Sequence, residues 1–392
     1  MLRSLVSEDD FEQAAAVTGY AFNCDLKDHA LRRDRMRKEW QKGNTLGWFD
    51  GGTLAAVLGI FPYRVYLYGR AIPMEGIGSV AALPEYRYGG LTARLIKEAL
   101  ARMDYNKTPI SMLQPFSYDF YRKYGYEYAY DVPKVKVNPE VFSHLASKGD
   151  LRPAVEGDLP VLAALYDGFA RRYNLAGVRD EKDWRGFAFK YNMKETRRGE
   201  GRRYCYIRKE QDGYLAFDPT GKDPNIEFVF ATPEAAKGIA GFIGRHSEVY
   251  FRFESDFVLG NLFRTLAKEA RDVEISLRPG MMVRVVHAKT LLALLPASTR
   301  GILNLDLRDE LIESNNGVFG VSFAPETNTV SDQPIEGAPT LHLDIREFSR
   351  LVGGDKSAGH LYYNGLLPGD ETAALLWDRL FPPRMVYANL HF

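Results

Sequence analysis

The sequence predicts an α/β fold over most of the chain, followed by a smaller α+β unit. Three observations lead to this prediction: strands alternate with helices, the pattern that opens the chain returns in its middle, and strands predominate near its end. With 392 residues, the chain is too long for one ordinary domain. We expect domains at residues 1–148, 149–282 and 283–392.

The first predicted domain opens with a helix and a β-hairpin. Ser7–Phe22 begins with a serine and three acidic residues, and a strongly charged helical pattern continues over Leu31–Lys42. Asn44–Phe49 and Thr53–Tyr68 are predicted strands on either side of the turn Asp50-Gly51-Gly52. The helices and strands that follow indicate a mixed sheet.

Gly76–Met103 is the most informative segment, predicted as a strand, a turn and an amphipathic helix. Apolar residues recur at helical spacing from Leu91 to Met103. The pair Gly89-Gly90 at the helix start leaves backbone N–H groups unsatisfied and unobstructed, which suits a pyrophosphate. Neither the P-loop motif nor the dinucleotide-binding G-x-G-x-x-G motif is present. The segment is therefore predicted to bind a phosphorylated ligand.

A second informative segment, Ile110–Tyr130, reads as a short strand, a turn at Pro115, a short helix and Tyr124-Gly125-Tyr126. Where two neighbouring parallel strands separate, their amides become available to an acyl carbonyl. A tyrosine on the helix that follows could protonate a departing thiolate, because its hydroxyl is neutral at pH 7. The alternative is a simple aromatic core cluster of Phe116, Tyr118, Phe120, Tyr121, Tyr124 and Tyr126.

The second predicted domain repeats the strand, acidic cap and helix that open the first. Its predicted elements, after a first strand and helix from Leu151 onward, are Tyr204–Ile207, Tyr214–Phe217, Ile226–Phe230, the helix Pro233–Ile243 and the strand Glu248–Arg252. Arg197–Gly201 contains a glycine motif, but a basic strand follows it instead of a helix, so we interpret it as a solvent loop. This half is therefore expected to lack the phosphate-binding loop.

The third predicted domain contains more strands than helices, which favours α+β. Its predicted strands are Val283–Val286, Gly301–Asp306, Gly317–Ala324 and Thr340–Asp344, and its predicted helices are Ala288–Leu294, Arg346–Val352 and Glu371–Phe381.

Composition narrows the class of protein. The chain has 51 Lys and Arg against 51 Asp and Glu, so neither nucleic acid nor a membrane is an expected partner. Two cysteines, Cys24 and Cys205, are too few for a disulfide scaffold and fit a reducing compartment. Without an apolar leader or a segment of membrane-spanning length, the predicted location is cytoplasmic. The seven histidines have no ligand-like spacing, so no metal is expected.

The domain order and three motifs resemble the Eis (enhanced intracellular survival) family of bacterial acetyl-CoA-dependent N-acetyltransferases. Arg87-x-x-Gly90-x-Thr92 resembles the R/Q-x-x-G-x-G/A signature of GNAT acyltransferases, although Thr92 departs from the usual Gly or Ala. The other motifs are QPFSYDFYRKYGYE, from Gln114, and the extreme C-terminus. The resemblance implies tandem GNAT-like mixed sheets, of which only the first binds coenzyme A, then a sterol carrier protein-like α+β domain, and a homo-hexamer.

The resemblance also implies roles for individual residues. Tyr121 would be the general acid, and the carboxylate of Phe392 would enter the first domain's active site and assist deprotonation of an amine. The amides of Val80 and Ala82 would bind the acetyl carbonyl and pantetheine. The pyrophosphate would bind the loop of Arg87, Tyr88, Gly89, Gly90, Leu91 and Thr92. The residues expected near the amine substrate are Phe22, Asp25, Trp40 and His391.

Three of these roles have alternatives. Phe392 could only pack the third domain, and Asp25 could cap the charged helix that follows it instead of pairing with an amine. His391 stands where the best-known members have an acidic residue, which makes polycationic aminoglycosides less expected as preferred substrates. It could also accept a proton near pH 7, or simply be solvated or packed.

The sequence thus predicts an acetyl-CoA-dependent N-acetyltransferase for primary amines of aminoglycosides, polyamines or peptide lysines. Direct transfer is expected because neither cysteine has an adjacent His. The rival hypothesis is a non-catalytic, acyltransferase-like protein that binds an apolar ligand in the third domain, where the leucines of Leu291–Leu295 could line a tunnel. A protein-lysine acetyltransferase that acts in signalling would share every residue of the first hypothesis and differ only in substrate.

Overall fold

The computed structural model describes residues 1–23, 37, 44–145, 150–181, 183–184, 204–217, 224–250, 252–255 and 260–390. We number the helices and strands of this part of the chain in order. The predicted helix over Leu31–Lys42 lies outside the described residues except for Arg37, and so does the glycine motif at Arg197–Gly201.

A seven-stranded mixed sheet forms the first unit, in the order β1-β2-β3-β4-β5-β14-β6. Its strands are β1 (Leu2–Ser4), β2 (Thr45–Asp50), β3 (Thr53–Leu67), β4 (Arg70–Ala82), β5 (Ile110–Leu113), β6 (Glu127–Tyr128) and β14 (Met282–Val285). Its helices are α1 (Glu8–Ala21), α2 (Leu91–Tyr105) and α3 (Tyr118–Arg122). Neighbouring strands are antiparallel except β4 and β5, which are parallel.

Helix α1 begins where the sequence predicts because its first turn is capped reciprocally. The N–H of Asp10 donates to Oγ of Ser7, and the N–H of Ser7 donates to the carboxylate of Asp10. Arg3 forms an ion pair with the same carboxylate at 2.6 Å. This arrangement fixes α1 against the first strand.

The second unit contains a four-stranded antiparallel sheet in the order β11-β10-β9-β8. Its strands are β8 (Leu151–Pro153), β9 (Tyr204–Arg208), β10 (Gly213–Phe217) and β11 (Ile226–Phe230), and its helices are α4 (Leu159–Ala170), α5 (Pro233–Gly244) and α6 (Gly260–Leu266). The predicted strand Glu248–Arg252 is wrong for the described residues of that range, because a turn follows α5 and the next strand begins at Phe253.

The first two units exchange strands. The strand β7 (Asp131–Val137) follows the first sheet in sequence but pairs with β12 (Phe253–Ser255) and β13 (Val273–Pro279). In return, β14 comes from beyond the second unit and inserts between β5 and β6. The predicted boundaries near residues 148 and 282 therefore divide the chain but do not separate the sheets.

The third unit is a four-stranded sheet, β17-β16-β15-β18, with helices beside it. Its strands are β15 (Gly301–Arg308), β16 (Gly317–Phe323), β17 (Thr329–Ser331) and β18 (Thr340–Asp344), and its helices are α7 (Ala288–Leu294), α8 (Ile345–Gly353), α9 (Ala358–Tyr363) and α10 (Glu371–Leu380). The predicted strand at Val283–Val286 belongs to the first sheet as β14. The two α/β units and this α+β unit agree with the predicted fold class. The named strands of the second unit pair antiparallel, so the prediction of a mixed sheet is wrong for the described part of that unit.

One hydrophobic core joins the third unit to the first sheet. Met74 and Met112 lie in the same buried cluster as Leu291 and Leu292 of α7. Their neighbours Ile77 and Leu113 lie in the cluster beneath α2. Because successive side chains of a strand alternate between faces, the third unit covers the sheet face opposite α2. None of the helices in the described ranges is both long and apolar enough to cross a bilayer.

Candidate active site

The parallel strands β4 and β5 separate after Ile77 and Leu113, their last paired residues. Beyond this point β4 continues to Ala82 with β3 on one side only. The N–H of Leu83 donates to the carbonyl of Ala55 at 3.0 Å, on the β3 side. Alternation along the strand therefore directs the amides of Val80 and Ala82 to the opposite side, into the gap beside β5. This gap therefore presents two backbone donors, spaced along β4, to a ligand that enters it.

A β-bulge lies where β4 leaves β5. The pairing register of β3 and β4 shifts between Val57 and Gly59, and Ser79 has φ of 52°. An extra residue in one strand bends that strand and increases its local twist. The bulge thus contributes to the separation of the two strands.

The loop between β4 and α2 presents backbone amides that the helix leaves free. Gly90 is the N-cap of α2, with φ of 73°, and no side chain caps this helix. The first intrahelical bond runs from the N–H of Arg94 to the carbonyl of Gly90 at 3.2 Å, so the three preceding amides have no acceptor within the helix. A Cβ on Gly90 would meet nothing within 4 Å. The position therefore requires glycine for its backbone conformation and not for space.

The charges around this helix start favour an anion. The first turn of α2 contains no acidic residue, and the helix dipole places partial positive charge there. Arg87 is exposed at the loop, and Tyr88 has φ of 65° with a fully exposed side chain. The predicted loop residues Arg87–Thr92 thus surround one helix start, and their amides and charge fit a pyrophosphate.

Tyr121 lies on α3, which follows β5 after the turn at Pro115. Its side chain is 2% exposed, and its ring contacts Phe116, Phe120 and Tyr126 with centroids 5.2, 5.1 and 6.2 Å apart. Burial raises the pKa of Tyr121 well above its usual range. The hydroxyl therefore keeps its proton at neutral pH and can act only as an acid or a hydrogen-bond donor.

The hydroxyls of the aromatic cluster fall into two groups. Tyr118 donates to the carbonyl of Gly280 at 2.7 Å, and Tyr126 lies 2.7 Å from Oγ of Ser111. No hydrogen-bond partner for the hydroxyls of Tyr121 and Tyr124 is found among the residues that the structure describes. Tyr118 and Tyr126 thus have structural partners, and Phe116 is 71% exposed, so it does not belong to a core. Tyr121 shares with Tyr124 a hydroxyl for which the described residues supply no partner.

The residues predicted near the amine are only partly within the described chain. Phe22 is the C-cap of α1 and is 45% exposed. Asp25, Trp40, His391 and Phe392 lie outside the described residues. Their roles stay predictions.

The C-terminal tail, which we define as Met385–Leu390, lies beside a segment of the second unit. Residues 174–178, the bridging segment, pair antiparallel with β3 through Val65 and Gly177. The tail pairs parallel with the bridging segment through Asn174 and Val386. The tail therefore runs along β3 toward the residues where Ile60 faces Ile77, which is the edge of the sheet at which β4 and β5 separate.

Among the described residues of the second unit, the helix start that corresponds to that of α2 is capped. Helix α5 corresponds to α2 in element order, but Oγ1 of Thr232 accepts from the N–H of Ala235 at 3.0 Å and donates to Asp212 at 2.6 Å. Pro233, which lacks an N–H, and Glu234 occupy its first turn. A side-chain cap and an acidic residue disfavour a phosphate at this helix.

Sequence reasoning missed the residues that support α3 from behind. Gly125 follows α3 with φ of 78°, and a Cβ there would lie 2.2 Å from Nη1 of Arg284 on β14. Arg284 forms a fully buried ion pair with Asp309 of the third unit. The sequence offered one signal for this pair: Arg284 is a charged residue within the apolar run from Met281 to Val286. Because buried arginines are nearly always paired, its position indicates an acidic partner.

Comparison with known families agrees with this architecture. Residues 3–129 and residues 175–285 match models of the acetyltransferase (GNAT) domain, and residues 288–389 match the sterol carrier protein domain. The second match ends at Val285, the last residue of the exchanged strand β14. None of the curated proteins matches the chain at a significant level.

Solved structures share the fold over the whole chain. A probable N-acyltransferase from Enterococcus faecalis is 24% identical with a TM-score of 0.82, covering 98% of this chain and 97% of that one. A GCN5-related N-acetyltransferase from Anabaena variabilis is 23% identical with a TM-score of 0.84, covering 98% of each chain. Eis1 from Mycobacterium abscessus is 17% identical with a TM-score of 0.78, covering 100% of each. The protein is thus an acyltransferase of the GNAT type, built from two GNAT domains and a sterol carrier protein domain.

Proposed function

We propose that the protein is an acetyl-CoA-dependent N-acetyltransferase of the Eis family that acts on a primary amine by direct transfer. One observation carries this proposal: the gap beside β4 lies between the free amides at the start of α2 and the helix of Tyr121. An acyl thioester needs a site for its phosphates, donors for its carbonyl and an acid for its sulfur, and this gap is bordered by all three.

The described residues fit acetyl-CoA as the cosubstrate. Its pyrophosphate would accept hydrogen bonds from the amides of the Gly90–Thr92 loop, with Arg87 adding positive charge. The amides of Val80 and Ala82 would bind the acetyl carbonyl and the pantetheine. Thr92 in place of Gly or Ala leaves the amide available, because α2 begins at Leu91 with Thr92 in its first turn.

The transfer balances with these residues and water. The substrate ammonium first loses a proton to water, assisted by the carboxylate of Phe392. The neutral amine nitrogen then attacks the carbonyl carbon, a C–N bond forms, and the C–S bond breaks with its electron pair on sulfur. Tyr121 donates its proton to that sulfur, and the second proton that the nitrogen loses returns through water to Tyr121. Cys205 is buried in the core of the second unit, so it does not serve as a nucleophile for this gap.

The course of the tail supports the role of Phe392. The tail runs toward the edge of the sheet that carries the gap as far as Leu390, and two further residues add at most about 7 Å. We propose that Phe22, Asp25, Trp40 and His391 contact the amine substrate, which is an aminoglycoside, a polyamine or a lysine-type amine. A hexameric assembly and a cytoplasmic location stay predictions from the sequence.

The rival hypothesis of an apolar-ligand tunnel loses support from the packing of α7. Leu291 and Leu292 are fully buried, and Leu295 is 1% exposed, in the core shared with the first sheet. These side chains fill the contact between two domains. The leucines that the rival hypothesis assigns to the wall of a tunnel therefore pack against the first sheet instead.

A thiol-release assay with acetyl-CoA and a panel of aminoglycosides, polyamines and lysine peptides tests the proposal. We expect Tyr121→Phe to lower kcat by a factor of about 100 or more. Tyr124→Phe is the matched control, because Tyr124 is a buried tyrosine of the same cluster, also without a described hydroxyl partner. Removal of Phe392 should also lower kcat. Equal losses in both tyrosine variants, or no binding of acetyl-CoA, would contradict the proposal.

A further inference from the structure

The second unit holds the tail by a closed set of hydrogen bonds around Asn389. Oδ1 of Asn389 accepts from the N–H of Gly177 at 3.0 Å, and Nδ2 donates to the hydroxyl of Tyr166 at 2.8 Å. The hydroxyl of Tyr166 in turn donates to the carbonyl of Gly177 at 2.6 Å. Both ends of the amide are therefore used, and the tail is fixed relative to the bridging segment.

A second contact joins the tail to a partly buried ion pair. The hydroxyl of Tyr387 donates to Oε2 of Glu227 at 3.3 Å, and Glu227 also accepts from both terminal nitrogens of Arg179, at 2.8 and 2.6 Å. Tyr214 donates to the same carboxylate at 2.5 Å. Burial and the adjacent Glu227 raise the pKa of both tyrosines, so both remain protonated donors.

The bridging segment is also shaped for the tail. A Cβ on Gly177 would lie 2.6 Å from Cδ2 of Leu390 and 3.3 Å from Oδ1 of Asn389. The φ of Gly177 is not positive, so this glycine is required for space and not for backbone conformation. At the other end of the bridging segment, the backbone carbonyl of Asn174 accepts from the N–H of Tyr387 at 2.9 Å. The backbone N–H of Asn174 donates to the carbonyl of Met385 at 3.0 Å.

We propose that the second GNAT domain serves the reaction as the dock of the tail, with Asn389 as the positioning residue that sets how far the tail reaches toward the gap. A register slip of two residues would move the tail by about 7 Å. Displacements of about 1 Å can already lower catalytic rates substantially. The catalytic consequence rests on the proposed function, whereas the dock itself does not.

Hydrogen exchange on the intact protein tests the dock. In Asn389→Ala we expect exchange at the amide of Gly177 and in the tail to rise about tenfold, because the amide loses its acceptor. Asn364→Ala is the matched control, since Asn364 is an exposed asparagine of the third domain whose side-chain amide bonds the local carbonyl of His360 within the described chain. Tyr166→Phe removes the hydroxyl that accepts from Nδ2 of Asn389 and donates to the carbonyl of Gly177, with less change in volume. Faster exchange of the tail in this variant decides the question should Asn389→Ala not fold. Unchanged exchange in a folded variant would overturn the dock.

Steady-state kinetics test the positioning role. We expect Asn389→Ala to lower kcat about tenfold and to leave the KM for acetyl-CoA unchanged, because the α2 loop is untouched. In protein that lacks Phe392, the same substitution should cause no further loss. Multiplicative losses, or an unchanged kcat despite faster exchange of the tail, would overturn the positioning role. Should the unmodified protein bind acetyl-CoA and acetylate no amine, the proposed function fails, and the exchange measurement alone decides the dock.

Discussion

Arg284 and Asp309 form an ion pair that joins the first sheet to the third domain in a solvent-free interior. Nη2 of Arg284 lies 3.0 and 2.9 Å from the two carboxylate oxygens, and the side chains are 0% and 1% exposed. Asp309 also accepts Nδ2 of Asn315 and the N–H of Leu311. Within the described chain, Nε and Nη1 of Arg284 have no hydrogen-bond partner. This pair therefore carries most of the compensation for burying the guanidinium.

We predict that Asp309→Ala destabilises the protein by about 3–5 kcal/mol, because it leaves an uncompensated buried cation. Urea denaturation measures the change. Glu326→Ala serves as the control, since it removes an exposed ion pair with Arg300 at 3.5 Å and should produce no measurable change. A similar small effect in both variants would mean that Arg284 finds another partner or reaches water.

We predict that Gly125→Ala destabilises the protein by about 2–4 kcal/mol. A left-handed backbone costs a non-glycine residue about 1–2 kcal/mol, and the added methyl group would contact Nη1 of Arg284 at 2.2 Å, which adds the cost of overpacking. The loop after α3 would have to shift, so activity should fall as well. Thermal denaturation and the thiol-release assay together check this; a stable, fully active variant would contradict it.

We predict that Gly90→Ala raises the KM for acetyl-CoA about tenfold with a stability loss of only about 1 kcal/mol. The substitution disfavours the left-handed conformation that exposes the amides of the α2 start. Gly337→Ala is the matched control, because Gly337 also has φ of 73° and a Cβ added there would meet nothing within 4 Å. The control should lose similar stability and keep its KM. Equal KM values in the two variants would argue against a phosphate site at this loop.

We predict that part of the acid sensitivity of the fold arises from Asp10. Hydrogen bonds from Arg3 hold the pKa of Asp10 well below its usual range, against the opposing effect of burial. A carboxyl whose pKa is lower in the folded state stabilises the fold above the unfolded pKa of about 3.9, and this contribution disappears as the pH falls toward the folded value. Urea midpoints between pH 6 and pH 2.5 should therefore fall less steeply for Asp10→Asn than for the unmodified protein. Parallel pH curves would show that Asp10 contributes no such dependence.

The second GNAT domain repeats the Arg–Asp pair at the start of its first helix, and the local sequence made this repeat recognisable. Arg152 pairs with Asp158 at 2.7 Å, and Asp158 accepts the N–H of Val155 before α4. The resemblance of the two openings could be read from the sequence because a strand, an acidic cap and a helix are local patterns. For the same reason α2, its glycine loop and the short helix of Tyr121 were predicted close to their observed positions.

Partners distant in sequence could not be predicted in this way. Periodicity indicates that Val283–Val285 is a strand, but it carries no information on which sheet completes its hydrogen bonds, and β14 inserts into the first sheet across more than 150 residues. In the described structure, Asn389 likewise forms a hydrogen bond with Gly177, and Arg284 forms an ion pair with Asp309. These partners are too far apart in sequence for any local pattern to connect them.

The sequence by itself thus determined most of the elements, the fold class and the free amides at Gly90, because these follow from side-chain periodicity and backbone conformation within a few residues. Only the tertiary structure decided the exchange of β7 and β14, the course of the tail and the support behind Tyr121. Those features arise because buried backbone and charged groups must find hydrogen-bond partners wherever the packed chain supplies them.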